Sequence, residues 1–303
     1  MDSLTVSPLV GILRRGRSEQ QDVEKIEVNT PCGPVAVRRT ERRGRTATVL
    51  LHGAAGSWTT WRAAIDSAES GGDVSDLVVP DLPGWGDSPA DVDTLDAAGL
   101  AAAVAATVRA LGYERWRLVG HSLGGFVALE LAAQEPEATE LVVLVSATTF
   151  GGQGDRLGAV EFARRYPALL GLAAAMRALD ALGPAGIRFV RVLDRIGLLR
   201  TLTAPLFGRR VPDAVTELAR DLRPAAFLRA LACARRYPAA ERWRRVRCPV
   251  LAVHGDHDLF SPASDDLPLS RLLPQLHSTV LPATGHFAHV EHPSLLAGAL
   301  HAR

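Results

Sequence analysis

One stretch of the sequence places a serine hydroxyl between small residues, where it could act as a nucleophile. Ser122 is the centre of the pentapeptide Gly-His-Ser-Leu-Gly at 120–124, which follows the apolar run 116–119 and precedes the helical run 126–132. The two glycines leave room for a sharp strand-to-helix turn because neither carries a Cβ atom. Such a turn raises the hydroxyl above the sheet edge and aims the backbone N–H of Leu123 at a developing oxyanion. The pattern therefore predicts nucleophilic attack on a carbonyl carbon.

A serine hydroxyl is a weak nucleophile until a base takes its proton, and a carboxylate must orient that base. His286 follows the predicted last strand, 278–281, and is the best placed base. Asp256 and Asp258 both follow the strand predicted over 249–253. The chain order serine, acid, histidine is the order expected when the three residues follow strands of a mostly parallel α/β sheet. Position alone leaves either aspartate as the acid, and we interpret the other as a turn residue that accepts backbone N–H groups.

A second donor for the oxyanion is expected in the loop after the buried strand 47–51. This loop contains small residues, Gly-Ala-Ala-Gly at 53–56, which allow the backbone to approach a ligand closely. The backbone N–H of Ala54 is the candidate donor. His52 and His121 adjoin the two oxyanion segments, and we expect both rings to shape the pocket and contact the substrate.

These residues need a scaffold in which loops far apart in the chain converge. Short apolar strands alternate with helices through residues 24–146, and the alternation resumes at 247. This alternation of strands and helices predicts βαβ units, that is, an α/β fold whose mostly parallel sheet carries helices on both faces. In such sheets functional sites lie beyond the carboxyl ends of the strands, and each motif above falls at such an end.

The alternation of strands and helices is interrupted by a long helical segment. Between the two alternating parts no strand-like run occurs, and helical stretches are broken by prolines. We read four or five helices inserted between two strands. This predicts a core formed by 1–146 and 247–303 and an all-helical cap formed by 147–246. A closing helix is predicted over 288–301.

Five short segments together carry a recognisable pattern. They are His-Gly-Ala at 52–54, Asp-Leu-Pro-Gly-Trp-Gly-Asp-Ser at 81–88, Gly-His-Ser-Leu-Gly-Gly at 120–125, Gly-Asp-His-Asp at 255–258 and Gly-His-Phe at 285–287. As a set they resemble the α/β-hydrolase superfamily, and the inserted helices resemble its cap domain. The resemblance implies that Asp258, the last residue of Gly-x-x-Asp, is the acid. It also implies that Ala54 and Leu123 supply the two oxyanion N–H groups.

The resemblance implies an activity and leaves alternatives. Serine at 122, where the haloalkane dehalogenase and epoxide hydrolase branches carry aspartate, argues against those branches. We expect a cofactor-independent serine hydrolase that cleaves a carboxylic ester, thioester or lactone through an acyl-enzyme. One alternative is a carbon–carbon bond hydrolase of the meta-cleavage type, whose acid substrates would suit a basic cap. Another is a non-catalytic ligand-binding receptor on the same fold.

Charge is distributed unevenly along the chain. The formal net charge is +1, which predicts no nucleic-acid partner. Residues 151–247 hold 19 arginines and 8 acidic residues, a balance of +11, whereas the remainder holds 15 basic and 25 acidic residues, a balance of −10. This split indicates attraction between cap and core or steering of anionic substrates. We therefore expect a small-molecule substrate that is apolar or anionic.

The cap should contain the residues that select the substrate. Its aromatic side chains Phe150, Phe162, Tyr166, Phe189 and Phe207 are the first candidates to line the pocket.

An apolar stripe is also predicted in the cap. Leu169, Leu170, Leu172 and Met176 fall at helical spacing, with arginines nearby. We interpret the stripe as a core face. A membrane-surface or acyl-carrier docking face is the alternative.

Nothing in the sequence predicts a metal or cofactor. His286, His289 and His292 recur at a three-residue spacing without a supporting pattern of cysteines or carboxylates. The three cysteines are widely spaced, which indicates neither a zinc site nor a disulfide framework, and their odd number fits a reducing compartment. The first arginines follow an apolar run, the wrong order for a signal peptide, and no uncharged apolar stretch reaches about 18 residues. We predict a cytoplasmic protein without an integral membrane segment; its oligomeric state stays open.

Overall fold

A computed structural model describes residues 6–7, 23–71, 74–149, 159–208, 211 and 215–296. A nine-stranded sheet runs through the molecule in the order β1-β2-β3-β5-β4-β6-β7-β8-β9. The six strands from β5 to β9 in this order are mutually parallel, and β1 to β3 form an antiparallel edge. The predicted α/β fold with a mostly parallel sheet is confirmed. The strands are Val6–Ser7 (β1), Glu24–Thr30 (β2), Gly33–Arg39 (β3), Thr46–Leu51 (β4), Leu77–Pro80 (β5), Arg115–His121 (β6), Thr139–Val145 (β7), Val250–Gly255 (β8) and Leu276–Leu281 (β9).

Helices cover both faces of the sheet. One face packs against the helices before and after β6, and the other against the first and last helices of the chain. The core helices are Arg62–Gly71 (α1), Ala97–Ala110 (α2), Leu123–Gln134 (α3), Asp266–Leu272 (α11) and Ala288–Glu291 (α12), and those between β7 and β8 are Ala159–Arg165 (α4), Pro167–Ala181 (α5), Pro184–Arg195 (α6), Leu198–Thr203 (α7), Val215–Asp221 (α8), Pro224–Arg236 (α9) and Ala239–Arg242 (α10).

The structure differs from the sequence-based expectation at two sets of helices. Seven helices, rather than four or five, lie in the described part between β7 and β8, because α4, α7, α8 and α10 are too short to show a clear period. Within the described residues the predicted closing helix ends at Glu291; positions 297–301 of that prediction lie outside the described residues. Pro293 has no N–H and disfavours a helical conformation at His292, so a 3₁₀ turn over Pro293–Leu296 follows instead.

The inserted helices have their own apolar core and are anchored to the sheet domain by polar contacts. Tyr166 donates a hydrogen bond of 2.7 Å to Asp265, the residue directly before α11. Asp221 at the end of α8 accepts hydrogen bonds from Ser57 (2.5 Å) and Thr59 (2.7 Å) in the loop after β4. These contacts hold the helices over the carboxyl end of the sheet. The division at 147 and 246 stays a prediction.

The apolar stripe of α5 divides between the interior and the surface. Leu169 and Met176 are buried in the core of the inserted helices, Leu172 is half-buried, and Leu170 is 38% exposed. The stripe is thus mainly a core face. Among the described residues no single helix is long and apolar enough to cross a bilayer, although α5 and α6 together, bent by 120°, reach that length and composition.

Candidate active site

The turn between β6 and α3 holds Ser122 in a strained backbone conformation. Its φ is 51° and its ψ is −115°, a region that residues with a side chain rarely occupy. The turn is tight because α3 begins directly against β4. A methyl group at Gly124 would lie 2.1 Å from the carbonyl oxygen of Leu51, so only glycine fits there. The sharp turn predicted from the pentapeptide is present, and the Ser122 hydroxyl faces the space above the sheet.

His286 and Asp258 come together from loops that follow β9 and β8. The Nδ1 atom of His286 lies 2.9 Å from Oδ1 and 3.0 Å from Oδ2 of Asp258. Oδ1 also accepts the backbone N–H groups of Phe260 (2.9 Å) and Ser261 (3.0 Å). Burial by itself would raise the pKa of Asp258, but the charge and hydrogen bond of His286 and the two N–H donors outweigh it. The pKa is therefore lowered, and the carboxylate stays ionised.

The loop that carries Asp258 is held in place by a second histidine–carboxylate pair. Burial acts to lower the pKa of His254, yet the hydrogen bond and charge of Asp266 raise it above its usual value. The imidazolium donates from Nε2 to Asp266 (2.9 Å) and from Nδ1 to the carbonyl of Ser261 (3.0 Å). Asp256, the other candidate acid, accepts the N–H of Thr284 at 3.1 Å and is half exposed. Asp256 is therefore a turn residue, as its sequence position allowed.

The loop after β4 approaches Ser122 closely. A methyl group at Gly53 would lie 3.1 Å from Cβ of Ser122, so the Gly53–Ala54 peptide can sit beside it only because residue 53 is glycine. The indole N–H of Trp85 donates to the carbonyl of Ala54 at 2.8 Å and fixes the orientation of that residue. Within the described residues neither the N–H of Ala54 nor that of Leu123 donates to a protein acceptor, and both residues line the cavity beside Ser122. The two N–H groups are available to an oxyanion.

The structure separates the roles of the two histidines expected to contact substrate. His52 is fully buried and does not reach the cavity wall, which corrects that expectation. Its Nε2 accepts the N–H of Leu82 and its Nδ1 donates to the carbonyl of Gly53, both at 2.9 Å, because burial lowers its pKa and keeps the ring neutral. His52 therefore holds the loop after β4 in position. His121 does line the cavity, beside His286.

The Ser122 hydroxyl is hydrogen-bonded to a neighbour that the sequence did not single out. Thr148 Oγ1 lies 3.2 Å from Ser122 Oγ, on the loop after β7. Among the described residues this is the partner of the hydroxyl, and His286 lies on the wall of the same cavity. Hydrogen bonds between nucleophile and base commonly tighten only when substrate binds. Thr148 was not found from the sequence because no motif marks the loop that contains it.

A cavity of about 710 Å³ lies between the inserted helices and the carboxyl end of the sheet. Residues of α5 to α9 form its upper wall, and the loops after β4, β6, β7, β8 and β9 form its floor. Across the described part of the chain, no Asp, Glu, Lys or Arg side chain lines it. The polar residues of the wall are Thr60, His121, Ser122, Thr148, Thr203 and His286.

Among the described aromatic residues that were predicted to contact substrate, one lies on this wall. Phe189 lines the cavity and is 54% exposed at its mouth. Phe162 and Tyr166 do not line it, which corrects that expectation. Tyr166 is turned away by its hydrogen bond to Asp265, and the ring of Phe162 packs against that of Tyr166. Phe150 lies outside the described residues.

The remaining aromatic candidate, Phe207, does not line the cavity. Its ring stacks on that of Phe287, the residue after His286, with 5.2 Å between the ring centroids. The position of Phe287 directly after His286, and of Phe260 shortly after Asp258, is the signal from which two lining residues could have been found. The aromatic lining residues that sequence reasoning missed are Phe126, Phe227, Phe260 and Phe287.

Comparison with known proteins gives a matching family model, relatives in sequence and similar solved structures. The sequence model of a protein family described as "Alpha/beta hydrolase family" matches residues 48–299. Over 218 residues the chain is 31% identical to a pimeloyl-[acyl-carrier protein] methyl ester esterase from Neisseria meningitidis; the alignment covers 72% of this chain and 78% of the esterase. Over 263 residues it is 29% identical to a 2-hydroxy-6-oxononadienedioate/2-hydroxy-6-oxononatrienedioate hydrolase from Paraburkholderia phymatum; the alignment covers 82% of this chain and 83% of that hydrolase. An esterase structure from Exiguobacterium antarcticum has a TM-score of 0.67 at 18% identity, covering 90% of this chain and 97% of that one.

Proposed function

Because the chain belongs to the α/β-hydrolase family and is a hydrolase, we propose that it cleaves an uncharged, apolar carboxylic ester through an acyl-enzyme on Ser122. The observation that carries this proposal is the cavity above Ser122, whose described wall presents no charged side chain. An apolar acyl or alcohol group gains about 25 cal/mol for each Å² that the cavity removes from water. A carboxylate in the same place would lose its hydration without gaining a partner.

The first step of the proposed reaction is attack by Ser122 on the ester carbonyl. The Nε2 atom of His286 takes the hydroxyl proton as the bond between Oγ and the carbonyl carbon forms. The 2.9 and 3.0 Å contacts with Asp258 keep the other proton on Nδ1, which leaves Nε2 unprotonated and able to act as the base. The ionised carboxylate then stabilises the imidazolium.

The oxyanion of the tetrahedral intermediate accepts the N–H groups of Ala54 and Leu123. Donors of this kind contribute about 3 kcal/mol each to the stability of the transition state. The imidazolium of His286 protonates the leaving alkoxide as the carbon–oxygen bond breaks. A water molecule, deprotonated by His286, then attacks the acyl-enzyme, and collapse of the second intermediate releases the acid and restores the Ser122 hydroxyl.

The carbon–carbon bond hydrolase alternative is supported by the name of the Paraburkholderia relative but not by the cavity. A buried carboxylate needs a cationic partner, and the described wall offers neither arginine nor lysine. The arginine-rich composition of the inserted helices therefore does not produce an anion-binding pocket. An uncharged substrate is the better match.

The test of this proposal compares Ser122→Ala with the parent chain on p-nitrophenyl esters of increasing acyl length. We expect a loss of at least about 10³-fold in kcat and loss of labelling by a fluorophosphonate. Ser146→Ala is the matched control, since Ser146 is a buried serine that also has a positive φ, 46°, and does not line the cavity. It should retain both activity and labelling. Undiminished hydrolysis in Ser122→Ala would contradict the proposal.

A further inference from the structure

Helix α6 presents an apolar stripe to solvent. Ala185, Phe189, Val192 and Ile196 follow one another at spacings of four, three and four residues, which places them on one face of the helix and its C-cap. Phe189, Val192 and Ile196 are 54%, 48% and 67% exposed. Gly186 and Val190 are buried on an adjacent face of the helix, which supplies the packing. The helix therefore presents apolar side chains both to the protein interior and to solvent.

The stripe is part of a larger exposed surface on three consecutive helices. The C-cap residue of α5 and the first turns of α7 add further leucines with exposures between 42% and 58%. Helix α6 packs against both α5 and α7, so these leucines lie on the two helices next to the stripe. Proteins that remain in water rarely leave so many large apolar side chains together. We call this surface the cap apolar patch; it consists of Leu182, Phe189, Val192, Ile196, Leu198 and Leu202.

Positive charge flanks the patch. Arg188, Arg191 and Arg195 lie beside the stripe on the same helix, and all three are exposed. Among the described residues none of the three forms an ion pair. Arg177 adds an exposed charge on α5, whereas the guanidinium of Arg200 on α7 donates to a backbone carbonyl. Helices α5 to α7 contain five arginines and two aspartates, so the rim of the patch is cationic.

The patch continues into the cavity. Leu182, Phe189 and Leu202 are exposed and also belong to the cavity wall. On α5, the exposed small residues Gly171 and Ala178 line the same cavity. An apolar chain leaving an apolar phase at the patch could therefore enter the cavity without crossing water.

We propose that the cap apolar patch docks on the surface of an anionic lipid bilayer. The apolar stripe of α6 would lie at the level of the upper acyl chains, with the arginines beside it in contact with anionic headgroups. Docking brings the mouth of the cavity against the source of an apolar ester. The nature of that ester rests on the proposed function, whereas the docking itself does not.

A bilayer fits the patch better than an acidic protein does. An acyl-carrier protein or another acidic partner would pair with the arginines, but it would not remove the exposed surface of a six-residue apolar patch unless it presented an apolar face of equal size. A bilayer interface supplies both the apolar phase and the negative charge.

The experiment measures binding to vesicles by co-sedimentation. The parent chain is mixed with vesicles of phosphatidylcholine and phosphatidylglycerol in equal parts, and with vesicles of phosphatidylcholine alone. We expect binding to the anionic vesicles that weakens as salt is added. Val192→Ser combined with Ile196→Ser should lower binding by at least about tenfold. Replacement of Arg188, Arg191 or Arg195 by Gln should lower it about fivefold for each charge removed.

Leu267→Ser is the matched control, because Leu267 is 60% exposed on α11 and lies outside the patch. It should bind vesicles as the parent chain does. Neither Val192 nor Ile196 lines the cavity, so hydrolysis of a short-chain ester without vesicles should be unchanged in the double variant. Ser122→Ala should bind vesicles normally, which separates failure of docking from failure of the proposed reaction.

Three outcomes would overturn the docking proposal. The first is no binding to anionic vesicles by a chain that is folded and active. The second is binding that Val192→Ser/Ile196→Ser does not reduce. The third is saturable binding to an acyl-carrier protein in the absence of vesicle binding.

Discussion

The Nε2–H of His121 donates a hydrogen bond of 3.0 Å to the backbone carbonyl of His286. The residue before the proposed nucleophile is thus tied to the proposed base, although 165 residues separate them in the chain. Their rings lie 4.9 Å apart between centroids, and the ring of His289 lies 4.3 Å from that of His121. Burial lowers the pKa of His121 well below its usual value, so the ring that connects the two loops is neutral.

The buried ring of His289 should make the protein sensitive to acid. Burial lowers the pKa of His289 to about 3, whereas an unfolded histidine titrates near 6.5. Between these values the unfolded chain binds a proton that the folded chain does not. The free energy of unfolding therefore has its full value above about pH 6.5 and falls as the pH is lowered, by up to about 1.4 kcal/mol per pH unit for this group.

Replacing His289 by Phe should remove that contribution. Urea denaturation of the parent chain and of His289→Phe should give slopes of unfolding free energy against pH that differ most between about pH 6 and pH 4. Above about pH 7 the two slopes should coincide. Equal slopes throughout would mean that His289 is not the neutral, proton-excluding group described above.

The two aspartates of the Gly-Asp-His-Asp segment should respond differently to loss of charge. Asp258→Asn keeps an oxygen for the N–H groups of Phe260 and Ser261 but no longer fixes the tautomer of His286. We expect kcat to fall by about 10³- to 10⁴-fold with the fold retained. Asp256→Asn is the matched control, because its carboxylate contacts the N–H of Thr284 rather than a ring nitrogen of His286. Steady-state kinetics with a short-chain ester would reverse the assignment if Asp256→Asn had the larger loss.

The strained backbone of Ser122 should make the protein less stable than it could be. At a φ of 51°, glycine avoids the steric conflict that alanine retains. We expect Ser122→Gly to be more stable than Ser122→Ala by about 1 kcal/mol in urea denaturation, with both variants inactive. At the exposed helical residue Ser270 in α11 the order should be reversed, with glycine less stable than alanine. The same order at both positions would argue against strain at Ser122.

The mouth of the cavity should set the length of the substrate. Ala178 lines the cavity from α5, and Ala178→Phe should fill part of it. We expect kcat/KM for long-chain esters to fall about fourfold for each methylene that is excluded, with short-chain esters unaffected. Ala174→Phe, one turn earlier on the same helix and outside the cavity wall, is the control. A parallel loss for all chain lengths would place the acyl group elsewhere.

Much of the fold and part of the site follow from local features of the sequence. Alternating apolar runs predict βαβ units because a strand buried on both faces must be apolar throughout. The glycines at 120–124 indicate a sharp turn because no other residue leaves space for it. These signals lie within a few positions of the residues they describe, so the sequence by itself determined the sheet, the turn at Ser122 and the loops that contain His286 and Asp258.

Tertiary structure decided what depends on the direction of a side chain. The arginine-rich composition of the inserted helices indicated steering of anionic substrates, but none of their described arginines lines the cavity, because the rotation of each inserted helix about its axis is fixed by packing against its neighbours. That rotation turns Tyr166 to Asp265 and Phe189 to the cavity mouth, and it exposes the apolar stripe of α6. Helix period alone shows that an apolar face exists, but it does not show whether that face meets protein, substrate or solvent.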